Sequence, residues 1–202
     1  NKQSGDMTPP DDNAPSGNPP TMPGQDAADS ATTDDTTDKQ PVLLITGGKI
    51  TVNADGDGLD SNGNLRVEGG DITINGPANG GNGALDIGTE NGGSGVIAGG
   101  TLIALGTSSM TENFGSTSTQ CAFLVTMNSF GAGETITITD SQGTVLYTGV
   151  TVKSANSVVF SSPDLTVGET YTVTIGSTSA TVTQSSTVVG NSNGFGGGFG
   201  RH

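Results

Sequence analysis

The sequence has no Trp, one His and one Cys, and six Lys and Arg against twenty Asp and Glu. Each shortage excludes something. Phosphate recognition needs a basic face, so nucleic acid is not an expected partner. A net charge of −14 also sets the chain against an anionic membrane surface. The single Cys121 forms neither an internal disulfide nor a thiolate metal cluster. In QCAFLV it alternates with apolar residues and reads as a small core side chain. The one His, at position 202, leaves no basis for His triads or His-rich metal sites. No apolar run approaches the roughly 20 residues of a spanning helix, so membrane insertion is not expected. Aromatic residues make up 4% of the 202 residues and hydrophobic residues 30%, which argues against a wide conventional core. The chain starts at Asn1 rather than Met, which reads as a processed or excised product.

Glycine is abundant, at 34 residues, and the rest of the composition is uneven. Residues 1–41 hold seven of the nine Pro, eight acids and two bases, with few large apolar side chains. Alone, such a segment cannot bury enough apolar area to offset its ordering entropy, so an extended, low-complexity acidic arm is expected. Residues 191–202 form a Gly-rich tail carrying Phe195 and Phe199. Between these ends, β-branched residues alternate with polar ones and no stretch follows a helical period, so the expected class is all-β.

Three of the Gly pairs in this region, Gly47–Gly48, Gly69–Gly70 and Gly99–Gly100, punctuate it at intervals of 22 and 30 residues. Aligned on the pairs, LITGGKITVNA, RVEGGDITING and VIAGGTLIALG fall into inward columns. These are Ile45/Val67/Ile97, Ile50/Ile72/Leu102 and Val52/Ile74/Ala104. Stacked apolar columns at a near-fixed period are the mark of a solenoid, and 22 residues per coil suits a short parallel β-helix over 42–118. Gly would serve its corners, and Lys49 would lie above Asp71. Residues 119–190 lack the Gly-pair rhythm. ETITITD and TVLYTGV read as two strands joined tightly at Ser141–Gly143, and Pro163 marks a break. This C-terminal β section either lengthens the solenoid or caps it; a cap or mixed arrangement is the preferred expectation.

The stretch NADGDGLDSNG places Asp55, Asp57 and Asp60 in a Gly- and Asn-rich turn. Short oxygen donors on a pliable backbone suit a hard cation such as calcium, although the spacing is not that of an EF-hand. Aligning GLDSNG with ALDIG stacks Asp60 over Asp86. Two carboxylates one rung apart, ~4.8 Å, repel unless a cation lies between them or one is protonated. The competing reading is that these Asp residues cap turns through neighbouring backbone amides.

The segments GGKITVNADGDGLDSNGNLRVEGGDITINGP, NGALDIG, IAGGTLIALGTSSM, STQCAFLV and SSPDLTVGETYTVTIG resemble a family of secreted, polysaccharide-binding parallel β-helix proteins of anaerobic bacteria. The likeness spans about residues 42–183. It implies a right-handed β-helix, bound calcium, affinity for cellulose or acidic pectin-type glycans, and an extracellular or cell-surface location. It carries the calcium role onto Asp55, Asp57, Asp60 and Asp86. Family members are commonly longer, with further coils where this chain has its arm.

Three functions compete. The first is non-catalytic, calcium-dependent polysaccharide binding, with Arg66 and Lys49 available on outward positions for a glycan carboxylate. Against it, most aromatics sit in alternating patterns and read as core rather than as sugar platforms, and Arg66 also reads as a plain solvated strand residue. The second is a self-assembling surface filament or matrix subunit, a partner of its own copies, in which the arm adds a strand to a neighbour. The third is a calcium-dependent lyase or a paired-acid glycosidase. It is disfavoured because fold likeness alone carries no activity. The expectation is a binding protein and not an enzyme.

Overall fold

Gly48, Gly70 and Gly100, the second members of the three pairs, have backbone φ of +92°, +111° and +86°. Only Gly enters this region without strain, and each residue turns the chain from one strand into the next. A computed structural model describes residues 40–190. The expected tail, and the arm apart from residues 40 and 41, lie outside the described residues.

The first segment supplies β1 (Val42–Ile45), β2 (Lys49–Asn53) and β3 (Leu59–Asp60). The second supplies β4 (Asn64–Val67), β5 (Asp71–Asn75) and β6 (Leu85–Asp86). The third supplies β7 (Gly95–Ile97) and β8 (Thr101–Gly106). Equivalent strands pair in parallel: β1 with β4 with β7, β2 with β5 with β8, and β3 with β6. Ile45, Val67 and Ile97 fall in one register column, Ile50, Ile72 and Leu102 in the next, and Val52, Ile74 and Ala104 in a third. These are the columns that aligning the Gly pairs brings together. Their side chains, with Leu65, Leu85, Ile87 and Phe114, form a first core. Outside it, Lys49 Nζ lies 3.3 Å from Asp71 Oδ2 on exposed surface, a contact that contributes little to stability.

Beyond β8 the pairing changes. The remaining strands are β9 (Ala122–Phe130), β10 (Thr135–Thr139), β11 (Val145–Val150), β12 (Ala155–Ser161), β13 (Thr170–Ile175), β14 (Thr178–Thr183) and β15 (Val188–Val189). β12 runs antiparallel to both β8 and β9, giving a six-stranded mixed sheet in the order β15–β9–β12–β8–β5–β2. A separate antiparallel sheet has the order β11–β10–β13–β14. The chain is therefore all-β, but its sheets are mixed, and it does not form a solenoid from end to end. The reason lies in the connections. After residue 119 the Gly pairs stop and short turns take over. At Asp140–Thr144, Asp140 Oδ1 accepts from the amides of Gln142 and Thr144 at 2.9 and 2.8 Å, with Gly143 at φ +84°. A turn this tight makes its two strands antiparallel neighbours.

The six-stranded sheet separates two cores. β8 sends Leu102 and Ala104 into the first and Ile103 and Leu105 into the second. In β2 and β5 the positions facing away from the first core are the polar Thr51, Thr73, Asn53 and Asn75; in β8 they become Ile103 and Leu105. TLIALG thus reads as a near-continuous apolar run because it is covered on both faces. The second core centres on Phe123, Phe160 and Tyr171. Phe114, Phe123, Phe130, Phe160 and Tyr171 are all buried, and Phe195 and Phe199 lie outside the described residues.

Candidate functional site: the acidic turn

The turn between β2 and β3 is built by its side chains as much as by its backbone. Asp57 Oδ1 accepts from the Gly83 amide at 2.7 Å, and its Oδ2 lies 3.1 Å from the Asn82 side-chain amide. Asp57 thereby ties the first segment to the loop of the second. Asp60 Oδ1 accepts from the Asn62 amide at 3.1 Å, closing a turn in which Asn62 takes φ +46°. Asp60 does the local capping that Asp commonly performs, whereas the amide that Asp57 binds lies 26 positions along the chain.

Parallel pairing of β3 with β6 sets Asp60 beside Asp86 and Leu59 beside Leu85. Asp86 is half-buried. Its carboxyl is pushed up from the ordinary value, first by burial and then by the negative charges of Asp57, Glu112 and Asp60, while the Gly88 amide opposes the shift. Glu112 is the member of this group that sequence reasoning missed. It is 6% exposed, and its carboxylate accepts from the Ile87 amide and, at 2.5 Å, from Thr89 Oγ1. No neighbouring Asp marks it in TENFG; it arrives because the chain crosses the end of the third segment after a 3-10 turn at Ser108–Met110. Asp86, Glu90, Glu112, Thr89, Leu85 and Met110 line a cavity of ≈ 200 Å³.

Asp55 does not face this group. Its Oδ1 is 2.7 Å from Lys153 Nζ, which also donates to the Ala54 carbonyl at 2.6 Å. Lys153 is largely covered, and its hydrogen bond, followed by its charge, holds the Asp55 carboxyl below the usual range. The contact joins residues 98 positions apart, which is why no local motif announces it. Nor do the two outward cations share a face. Lys49 belongs to the six-stranded sheet. Arg66 lies on the three-stranded sheet, in register between Leu44 and Val96, with its Nε 2.7 Å from Glu68 Oε1. Arg66, Val42, Asn64, Ser94 and Val96 line a shallow groove of ≈ 270 Å³.

The donors present are hard carboxylate oxygens, as calcium requires. Among the described residues, however, no three His, Cys, Asp or Glu side chains gather closely enough to hold an ion. Asp60 and Asp86 are the pair the fold brings together, Asp57 stands nearby but occupied, and Asp55 is held by Lys153.

The raised Asp86 value has a testable sign. A carboxyl with a raised folded value holds its proton more tightly in the native state. Its favourable contribution is therefore complete below the ordinary value of 3.8 and is lost as pH rises through the raised value. In chelator at pH 7, Asp86→Asn is expected to melt above the wild type, and the gap should close as pH falls towards 4. Thermal melts across that pH range check this.

The chain matches no family model, no curated protein and no solved structure.

Proposed function

We propose that the protein is a non-catalytic, extracellular or cell-surface binder of polysaccharide, cellulose or an acidic pectin-type glycan, and that it uses calcium. The observation that carries this reading is the in-register pair Asp60–Asp86, with Asp57 and Glu112 adding repulsion at Asp86. A divalent cation relieves such a concentration of charge, and it lets an acidic protein bridge to an acidic glycan. On this reading Asp60 and Asp86 lead the ligand set, Asp57 joins by exchanging its backbone contact for the ion, and Asp55 contributes least.

The finer fold reading belongs here as well: residues 42–118 as a short right-handed parallel β-helix. It is supported by three sets of parallel strands in constant register. Such a wall offers a flat face running along the stack, and Arg66, set among exposed apolar neighbours, is the cation best placed there to meet a sugar carboxylate. Lys49, paired with Asp71 on another sheet, is the weaker candidate. With the described aromatics in the cores or packed against them, affinity for a neutral glycan should be low.

The test is retention on insoluble cellulose and on immobilised polygalacturonate. Retention on polygalacturonate is expected in calcium and is expected to fall at least several-fold in chelator and in Arg66→Ala. No retention on either polymer under either condition removes the reading. The alternative is a surface filament subunit that adds its N-terminal arm to a neighbour. It is favoured by the outer edges of β1 and β2, with which no strand pairs among the described residues, and it predicts filaments in electron micrographs of purified protein that vanish when residues 1–39 are deleted.

A further inference from the structure

The two ends of the parallel stack are finished differently. At the β7–β8 end every face is covered. β12 pairs with β8. Residues 115–120 cross β7, with the Gly115 amide donating to Gly95 O and those of Thr119 and Gln120 to Ile97 O. Glu112 receives the Ile87 amide after β6. At the β1–β2 end, among the described residues, no strand pairs with the outer edge of β1 or β2. The apolar columns show the consequence. Ile72 and Ile74 on β5 are 1% and 0% exposed, whereas Ile50 and Val52 above them on β2 remain only half-buried. Leu43 is likewise half-buried over a fully buried Leu65.

We infer that this open end is a self-complementary surface that pairs β2 with β2 of a second copy, antiparallel about a two-fold axis through Thr51. Three observations select this occupant. The first is hydrogen bonding. The Ala54 amide donates to Asn75 O, and the Asp71 amide to Gly48 O. In a parallel pair alternate residues turn their polar groups to the same neighbour, so the even positions of β2 serve β5. Lys49, Thr51 and Asn53 therefore turn their amides and carbonyls to the open edge. Antiparallel pairing centred on Thr51 sets Thr51 against Thr51 and Lys49 against Asn53, and these are the residues able to exchange both bonds. The second is pattern. The same register sets Ile50 against Val52, apolar on apolar, and keeps the polar positions together on the other face. The third is charge. β2 has Lys49 at its start and is followed by Asp55 and Asp57. An antiparallel partner brings opposite charges near each other, whereas a parallel one would set Lys49 against Lys49. Because the far end is closed, the contact closes on itself as a dimer and does not propagate. The segment 1–39 is a poorer occupant, since it lacks the alternating large apolar residues needed to cover Ile50 and Val52. The inference does not depend on glycan or calcium binding.

The experiment uses the full chain. Light scattering after size exclusion is expected to give twice the 19.9 kDa chain mass at micromolar concentration, with association tightening as salt screens the −14 charge of each copy. Thr51→Pro removes an edge-facing amide and spares the bonds to β5. It should give a monomer whose circular dichroism matches the wild type and whose melting temperature, unlike that of the wild type, does not change with protein concentration. In a Cys121→Ser background, Thr51→Cys should form a covalent dimer under mild oxidation, because opposed residues of a bonded pair have Cα atoms about 5.5 Å apart. Lys49→Cys should crosslink at least tenfold less, its twin being displaced by roughly 14 Å along the strand. A wild type that stays monomeric, a dimer that survives Thr51→Pro, equal crosslinking at 49 and 51, or a ladder of higher oligomers would each overturn the inference.

Discussion

Replacing Phe160 with Ala is expected to lower the free energy of unfolding by about 3–5 kcal/mol. The side chain is fully buried near the C-terminal end of β12. Its ring lies 5.6 Å from that of Phe123 and 5.9 Å from that of Tyr147, and Phe123 in turn stacks on Tyr171 at 6.3 Å. Truncation therefore removes both transferred area and the centre of an aromatic cluster, and the surrounding strands, held by ladders on both sides of β12, collapse little into the space. Tyr171 is fixed independently, its hydroxyl accepting from the Thr166 amide at 2.7 Å, so it does not swing to fill the void. Denaturant unfolding measures the loss. Because β8, β9 and β12 each supply side chains to both cores, the wild type and the variant are both expected to unfold in a single transition. Two transitions would mean that the sheet does not couple the cores.

The second large effect is at the corners. A Cβ on Gly100 would lie 2.6 Å from Gly70 O and 2.7 Å from the Gly69 carbonyl carbon, with φ at +86°. Gly48 has φ +92°, but among the described residues nothing lies within 4 Å of its Cβ position, because its corner stands at the open end. Gly48→Ala should therefore pay only the left-handed backbone cost, ~1–2 kcal/mol. Gly100→Ala adds a backbone collision that no side chain can relieve, and should cost about 3 kcal/mol or more. Urea titration of the two variants side by side isolates the contribution of corner stacking. Equal losses would show that the corners do not press on one another.

The legible parts of this molecule follow from short-range rules. The Gly pairs mark corners because positive φ is a local demand, and strand period two then fixes which of Ile50, Thr51 and Val52 face the same way as Ile72, Thr73 and Ile74. The pairing of Asp60 with Asp86 follows from the same alignment, once LDSNG is laid on LDIG. The strands on either side of Ser141–Gly143 are readable because the turn chemistry sits between two alternating runs. What escapes is what depends on distant chain. The antiparallel course of β12 against β8 has no local signature, since SVVF would serve equally well as a further parallel strand. Ile103 and Leu105 look like a break in the polar outward columns until the second sheet is seen to cover them. The grip of Lys153 on Asp55, and the arrival of Glu112 beside Asp86, join positions far apart in the chain, where composition and spacing are silent.

The central functional claim is that Asp60 and Asp86 form a cation site, and its most direct measurement is a thermal melt in calcium and in chelator, for the wild type and for Asp60→Asn combined with Asp86→Asn. The wild type is expected to melt several degrees higher in saturating calcium, because binding to the native state alone adds about 2.7 kcal/mol at a hundredfold excess over the dissociation constant. The double variant is expected to melt at one temperature in both solutions, above the wild type in chelator because the repulsion at Asp86 is gone. A wild type that melts identically in calcium and chelator, or a double variant that keeps the full calcium shift, would contradict the account.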